Sequence, residues 1–164
     1  GIIFYFEKDL EEEGIGNCRP GYNPLISISK LTNAHVQELN GVNAFQYDLC
    51  YMENPANICK TDCKAIKSSV CDVGYSKIFA IQNLTIDGGS HVDNSSSLIF
   101  PHSVCCKADC ATAAGGIVCA TRMGSCSSDE SCMFSYDAFE PSSTGHISKC
   151  DDIYFTDKVC CKIT

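Results

Sequence analysis

Fourteen cysteines fall in one pattern that repeats three times, and this spacing constrains the chain more than any other feature. Cys18, Cys71 and Cys126 each open a unit, 53 and 55 residues apart; Cys50, Cys105 and Cys160 each close one, 55 residues apart. One histidine lies inside each unit. His35, His91 and His146 stand 17, 20 and 20 residues after the opener and 15, 14 and 14 before the closer. Such agreement marks a tandem array of one small module. A unit of about 55 residues sits near the lower size limit for independent folding, so its core needs reinforcement.

The cysteines supply that reinforcement. They make up 14 of 164 residues and their number is even, which suits full pairing into bridges in an oxidising compartment. Cys59–Cys63 and Cys106–Cys110 have a C-x3-C spacing that zinc also uses. The total count and the adjacent pairs Cys105-Cys106 and Cys160-Cys161 favour disulfides, because neighbouring cysteines point apart and reach separate partners. The repeat itself pairs Cys18 with Cys50, Cys71 with Cys105 and Cys126 with Cys160, and Cys132–Cys150 adds an internal staple to the third unit. The other six, Cys59, Cys63, Cys106, Cys110, Cys119 and Cys161, allow 15 connectivities among which sequence does not choose.

No stretch sustains helical periodicity. Leu25 to Leu31, Lys77 to Leu84, Phe45 to Met52, Leu98 to Cys105 and Ile153 to Cys161 read as short strands between turns rich in Gly, Pro, Asn and Ser. Thr32-Asn33 reads as a turn before a short strand at Ala34 to Val36. The expected fold is all-β: disulfide-stapled tandem β modules of small-sandwich (Ig-like) architecture with an extended N-terminal strand. The expected divisions are 1–16, an apolar strand and acidic linker, then repeats at 17–58, 59–110 and 111–164.

The net charge of −8 argues against nucleic acid, which needs a basic footprint. No segment approaches the roughly 20 apolar residues of a membrane helix. The sequons Asn83-Leu84-Thr85 and Asn94-Ser95-Ser96 predict N-linked glycans and export. A chain that opens on Gly1 is expected to be either a mature form after removal of a signal peptide or a fragment.

The stretch Pro24 to Val36, PLISISKLTNAHV, is similar to a repeat of uncharacterised archaeal and other prokaryotic secreted or cell-surface cysteine-rich proteins, whose modules end in V-C-C. The second unit keeps Gly74-Tyr75, Leu84-Thr85, His91-Val92 and Val104-Cys105-Cys106; the third keeps Ser125-Cys126, His146-Ile147 and Val159-Cys160-Cys161. The third lacks Leu-Thr-Asn before its histidine, and the first has Cys50-Tyr51 where the others have Cys-Cys. The resemblance spans about residues 17–164. It implies a secreted or surface setting and no particular activity.

Catalytic machinery is not expected. There is no G-x-S-x-G elbow, no phosphate-binding glycine loop and no EF-hand, and full pairing leaves no thiolate nucleophile. The three histidines occupy one place in each module, which a structural hydrogen bond explains more simply than a ligand role, so neither metal nor cofactor is expected.

The N-terminus is the sharper clue. Ile2, Ile3, Phe4, Tyr5 and Phe6 form an unbroken apolar run that reads as a strand buried on both faces, followed by an acidic linker over 7–16. Burying these side chains is worth on the order of 10 kcal/mol before ordering costs. The run fits three roles: a strand of its own domain, the stub of a trimmed anchor, or a donor strand inserted into a neighbouring copy. The leading expectation is the last, an extracellular pilus-like filament subunit whose partners are itself and its glycans, with an acceptor groove among 25–31, 77–84 and 98–104. The alternative is a monomeric cell-surface adhesin or ectodomain with the strand folded in cis, its recognition face in loops such as 37–44 or 138–145.

Overall fold

A computed structural model of the chain describes residues 2–8, 18–39, 45–53, 59–85, 89–97, 99–110, 116–137 and 145–164. The loops at 40–44 and 138–144, most of the acidic linker and the 111–115 connection lie outside the described residues. The described residues contain no helix.

Among the described residues, twelve strands form three four-stranded antiparallel sheets of one plan. The first contains β1 (Ile2–Lys8), β2 (Asn23–Ile28), β3 (Val36–Gln37) and β4 (Tyr47–Glu53), in spatial order β1-β4-β2-β3. The second contains β5 (Cys59–Ile66), β6 (Ser76–Ile81), β7 (Val92–Asn94) and β8 (His102–Cys110), ordered β5-β8-β6-β7. The third contains β9 (Ile117–Met123), β10 (Ser131–Tyr136), β11 (Ile147–Ser148) and β12 (Asp157–Ile163), ordered β9-β12-β10-β11. Even the irregularities repeat. A bulge falls between Pro24 and Ile26, between Lys77 and Phe79, and between Cys132 and Phe134. Each bulge turns the following residue inward, and Ile26, Phe79 and Phe134 are all fully buried.

The N-terminal run is therefore a strand of the first sheet, in the place that β5 and β9 hold in theirs. It is also not buried on both faces. β1 is an edge strand paired only with β4, in register from Ile2 opposite Glu53 to Lys8 opposite Tyr47. With one face available for the core, its side chains alternate: Ile2 is fully buried and Phe4 and Phe6 pack on the core, whereas Ile3 is 42% exposed. Tyr5, on the outer face, is covered by Tyr22 edge-on at 4.5 Å and by the Arg19 guanidinium at 4.4 Å.

All fourteen cysteines pair, and none is free. The four bridges expected from the repeat are present: Cys18–Cys50, Cys71–Cys105, Cys126–Cys160 and Cys132–Cys150. The remaining three are Cys59–Cys110, Cys63–Cys106 and Cys119–Cys161, each between residues directly opposite across a strand pair, with Cα atoms 4.0, 4.1 and 4.0 Å apart. Cys105 and Cys106 diverge as expected, one to the loop before β6 and the other to β5. In the first module, Phe4 opposite Tyr51 stands where the others have this cross-strand disulfide.

Divergence of the third module at its opening turn has a backbone cause. Tyr22, Tyr75 and Glu130 each donate N–H to a carbonyl three residues back, on Arg19, Asp72 and Ser127. In the first two turns the third residue is Gly21 or Gly74, both at φ +88°, a left-handed conformation that favours glycine. In the third turn Asp129 has no positive φ, so no glycine is needed. Glu130 then takes the tyrosine's place. It accepts two hydrogen bonds from Arg122 of β9, at 2.6 and 2.7 Å, and one from the Ser127 N–H at 3.0 Å. The Arg122 guanidinium, then the Ser127 N–H, hold the carboxyl down to about 2. Its contribution is complete above the ordinary glutamate range and is lost as pH falls through about 2. An NMR titration is expected to find Glu130 near that value in the native protein and back towards the ordinary glutamate value of about 4.3 in Arg122→Ala.

Candidate functional site: three histidines on the axis

The three short edge strands lock the modules together. The residues flanking each histidine form backbone bridges to the other two modules. Ala34 and Ile147 exchange two N–H···O bonds of 2.7 and 3.0 Å, Val36 and Ser90 exchange two of 3.0 and 2.8 Å, and the Val92 N–H donates to the Gly145 carbonyl at 2.8 Å. Each histidine thus sits between a bridge to one neighbour and a bridge to the other, and the three X-His-X segments close into a ring. Behind each ring residue, the histidine carbonyl accepts an N–H from its own module: His35 from Ser29 at 3.1 Å, His91 from Gln82 at 3.0 Å and His146 from Asp137 at 3.1 Å. Gly145 shows how tight the ring is, because a Cβ there would lie 2.2 Å from the Val92 carbonyl oxygen. Ala34, Val36, Val92 and Ile147 pave its floor and are fully or almost fully buried.

The consequence is that three imidazoles 55 or more residues apart in sequence meet. Ring centroids are separated by 4.5 Å (His35–His146), 4.9 Å (His91–His146) and 5.0 Å (His35–His91). One ring nitrogen from each lies within 4.8 Å of the other two. His35 Nε2 and His146 Nε2 are 2.9 Å apart, so with neutral rings one holds the proton and the other accepts it. His91 Nδ1 lies 3.0 Å from Gln82 Oε1. An amide oxygen only accepts, so Nδ1 carries the proton and Nε2 keeps its lone pair.

The surroundings of His91 and His146 favour the uncharged ring. Burial pushes the His91 pKa below its ordinary value, and His35 beside it adds to the effect. Burial also lowers that of His146, followed by His35, His91 and Lys30, against an opposing pull from Asp137. All three rings remain half-buried, within reach of solvent. Three imidazoles facing one another can share protons or, when neutral, ligate a cation that prefers nitrogen.

The histidines' alignment in the repeat was legible, but their meeting was not. Equivalent residues in a linear array stay a module apart, and only closure of the array into a ring brings them to one axis. Asn83 and Asn94 are half-exposed, each side-chain oxygen turned back onto the N–H two residues ahead, on Thr85 and Ser96. The strands expected to line an acceptor groove are filled: β2, β6 and β8 each lie between two partners in their sheets. Asp129 pairs with Lys162 and Asp151 with Lys149, both as solvated ion pairs.

Comparison with family models, curated proteins and solved structures finds no match to this chain.

Proposed function

We propose that the chain is an extracellular, disulfide-stapled scaffold, a monomeric surface or secreted binding module with its N-terminal strand folded in cis. One observation carries this reading: β1 occupies in its own sheet the position that β5 and β9 occupy in theirs. A dedicated donor would leave its own sheet short of an edge strand. Here Ile2 is fully buried and β1 packs against β10 of the third module, as β5 packs against β2 and β9 against β6. Seven disulfides suit an oxidising setting outside the cell. N-linked glycans at the half-exposed Asn83 and Asn94 would decorate the second module.

A second reading has its own support. β5 and β9 are covalently tied to β8 and β12, but no disulfide ties β1 to β4. A strand held by main-chain hydrogen bonds and packing alone can be exchanged with an identical neighbour. That would make the chain a pilus-like filament subunit, with the donor entering beside β4.

One double variant separates the two. Phe4→Cys with Tyr51→Cys places a disulfide in the register that Cys63–Cys106 occupies in the second module. For a cis-folded monomer the variant is expected to form the cross-link and to keep the native mass by light scattering. If native protein forms fibres under the electron microscope and the locked variant does not, the filament reading replaces the first.

A further inference from the structure

We infer that His35, His91 and His146 form a binding site for one divalent transition-metal ion, zinc foremost, which clamps the three modules together. The inference does not depend on whether β1 exchanges between copies.

The disulfide map supplies the first argument. Every one of the seven bridges lies within a module, and none crosses between modules. Among the described residues the modules are joined by packing, by the ring of backbone bridges and by a few further hydrogen bonds, such as Lys149 N–H to the Leu31 carbonyl and Glu38 N–H to the Leu84 carbonyl. Among the described residues, the histidines are where all three modules present a ligating side chain together, and each module contributes one.

Geometry supplies the second. Zinc–nitrogen bonds of about 2.0–2.1 Å in a tetrahedral site place the nitrogens about 3.3 Å apart. The His35 and His146 nitrogens, at 2.9 Å, are already close to that spacing, and the widest separation among the three is within 4.8 Å. Small rotations about the side-chain torsions bring the third nitrogen in. The rings are partly exposed, so water would complete the set.

Second-sphere chemistry supplies the third. A metal-bound histidine commonly donates its other ring N–H to a fixed acceptor, which sets the tautomer and aims the lone pair. Gln82 does this for His91. Three imidazoles with no carboxylate or thiolate among them suit zinc, copper(II) and nickel(II), and do not suit calcium or magnesium, which take oxygen ligands.

The test uses the full oxidised chain, stripped with a chelator and dialysed. Calorimetric titration with zinc chloride is expected to show one saturable site per chain, and cobalt(II) to give the visible bands of a four-coordinate nitrogen site. His146→Ala is expected to abolish saturable uptake. Gln82→Ala keeps all three ligands and is expected to weaken binding about 10–100-fold at unchanged stoichiometry. NMR of the native protein needs no variant: zinc is expected to shift the ring signals of His35, His91 and His146 and leave His102 unmoved. No saturable uptake, uptake that survives His146→Ala, or shifts centred on His102 would each overturn the site.

Discussion

Reduction of the disulfides is expected to unfold the protein at room temperature, and the first module is expected to fail first. Each bridge closes a loop of 18 to 51 residues. On the chain-entropy account loops of this length contribute about 3–4 kcal/mol apiece, and observed contributions are about 2–4. Seven bridges at even the low end reach the upper part of the net stability of about 5–15 kcal/mol typical of a whole domain. The chain has no comparable reserve, because each module is near the lower size limit for an independent core. The order of failure follows from distribution. The first module has one bridge, Cys18–Cys50, while the second has Cys59–Cys110, Cys63–Cys106 and Cys71–Cys105, and the third has Cys119–Cys161, Cys126–Cys160 and Cys132–Cys150. Replacing Cys18 and Cys50 together by serine is expected to cost about 2–5 kcal/mol, and to raise amide exchange across β1 and β4 most. Replacing Cys63 and Cys106 together leaves two bridges in the second module and is expected to leave its exchange pattern largely intact. Equal loss of protection in both variants would show that the staples act on the whole chain rather than module by module.

How much of this could be read from the sequence depends on whether a feature was local or required closure. The pairs Cys18–Cys50, Cys71–Cys105 and Cys126–Cys160 were legible because three copies repeat one spacing, and divergence of Cys105 from Cys106 because successive residues of a strand face opposite sides. β2 and β6 were legible from their apolar pattern, with ends displaced by a few residues where the bulges break strict alternation. β1 was seen as a strand but not as the counterpart of β5 and β9. Phe4 stands fourteen residues before Cys18, whereas Cys63 and Cys119 stand eight and seven before Cys71 and Cys126, so the longer acidic connection hid the equivalence. The aromatic pair Phe4–Tyr51 in place of a disulfide removed the remaining marker. The histidine cluster was beyond reach for a different reason. Its ring of bridges pairs residues as distant as Ala34 and Ile147, and no local pattern encodes that.

Phe134→Ala is expected to cost about 3–5 kcal/mol, the range for emptying a buried aromatic site. Phe134 is fully buried and meets the equally buried Phe79 of the second module edge-to-face, with centroids 5.0 Å apart. On the same strand, β10 also receives β1 of the first module. Removing this one ring therefore opens a cavity between the second and third modules, in the strand that also receives the first, and forfeits an aromatic pair worth about 0.5–1.5 kcal/mol beyond its buried area. The disulfides cannot compensate, since all seven lie within modules. The native protein is expected to unfold in a single calorimetric transition, and the oxidised variant to keep its cross-links yet lose cooperativity, that transition broadening or splitting. The histidine rings should report the same event, because their proximity depends on the modules staying closed: the distinct imidazole signals of His35, His91 and His146 are expected to converge towards those of solvated histidine. Phe134→Leu fills more of the site and is expected to lose substantially less. If Phe134→Ala instead unfolds in one sharp transition with the imidazole signals preserved up to the midpoint, the ring of backbone bridges, rather than the aromatic core, is what holds the modules closed.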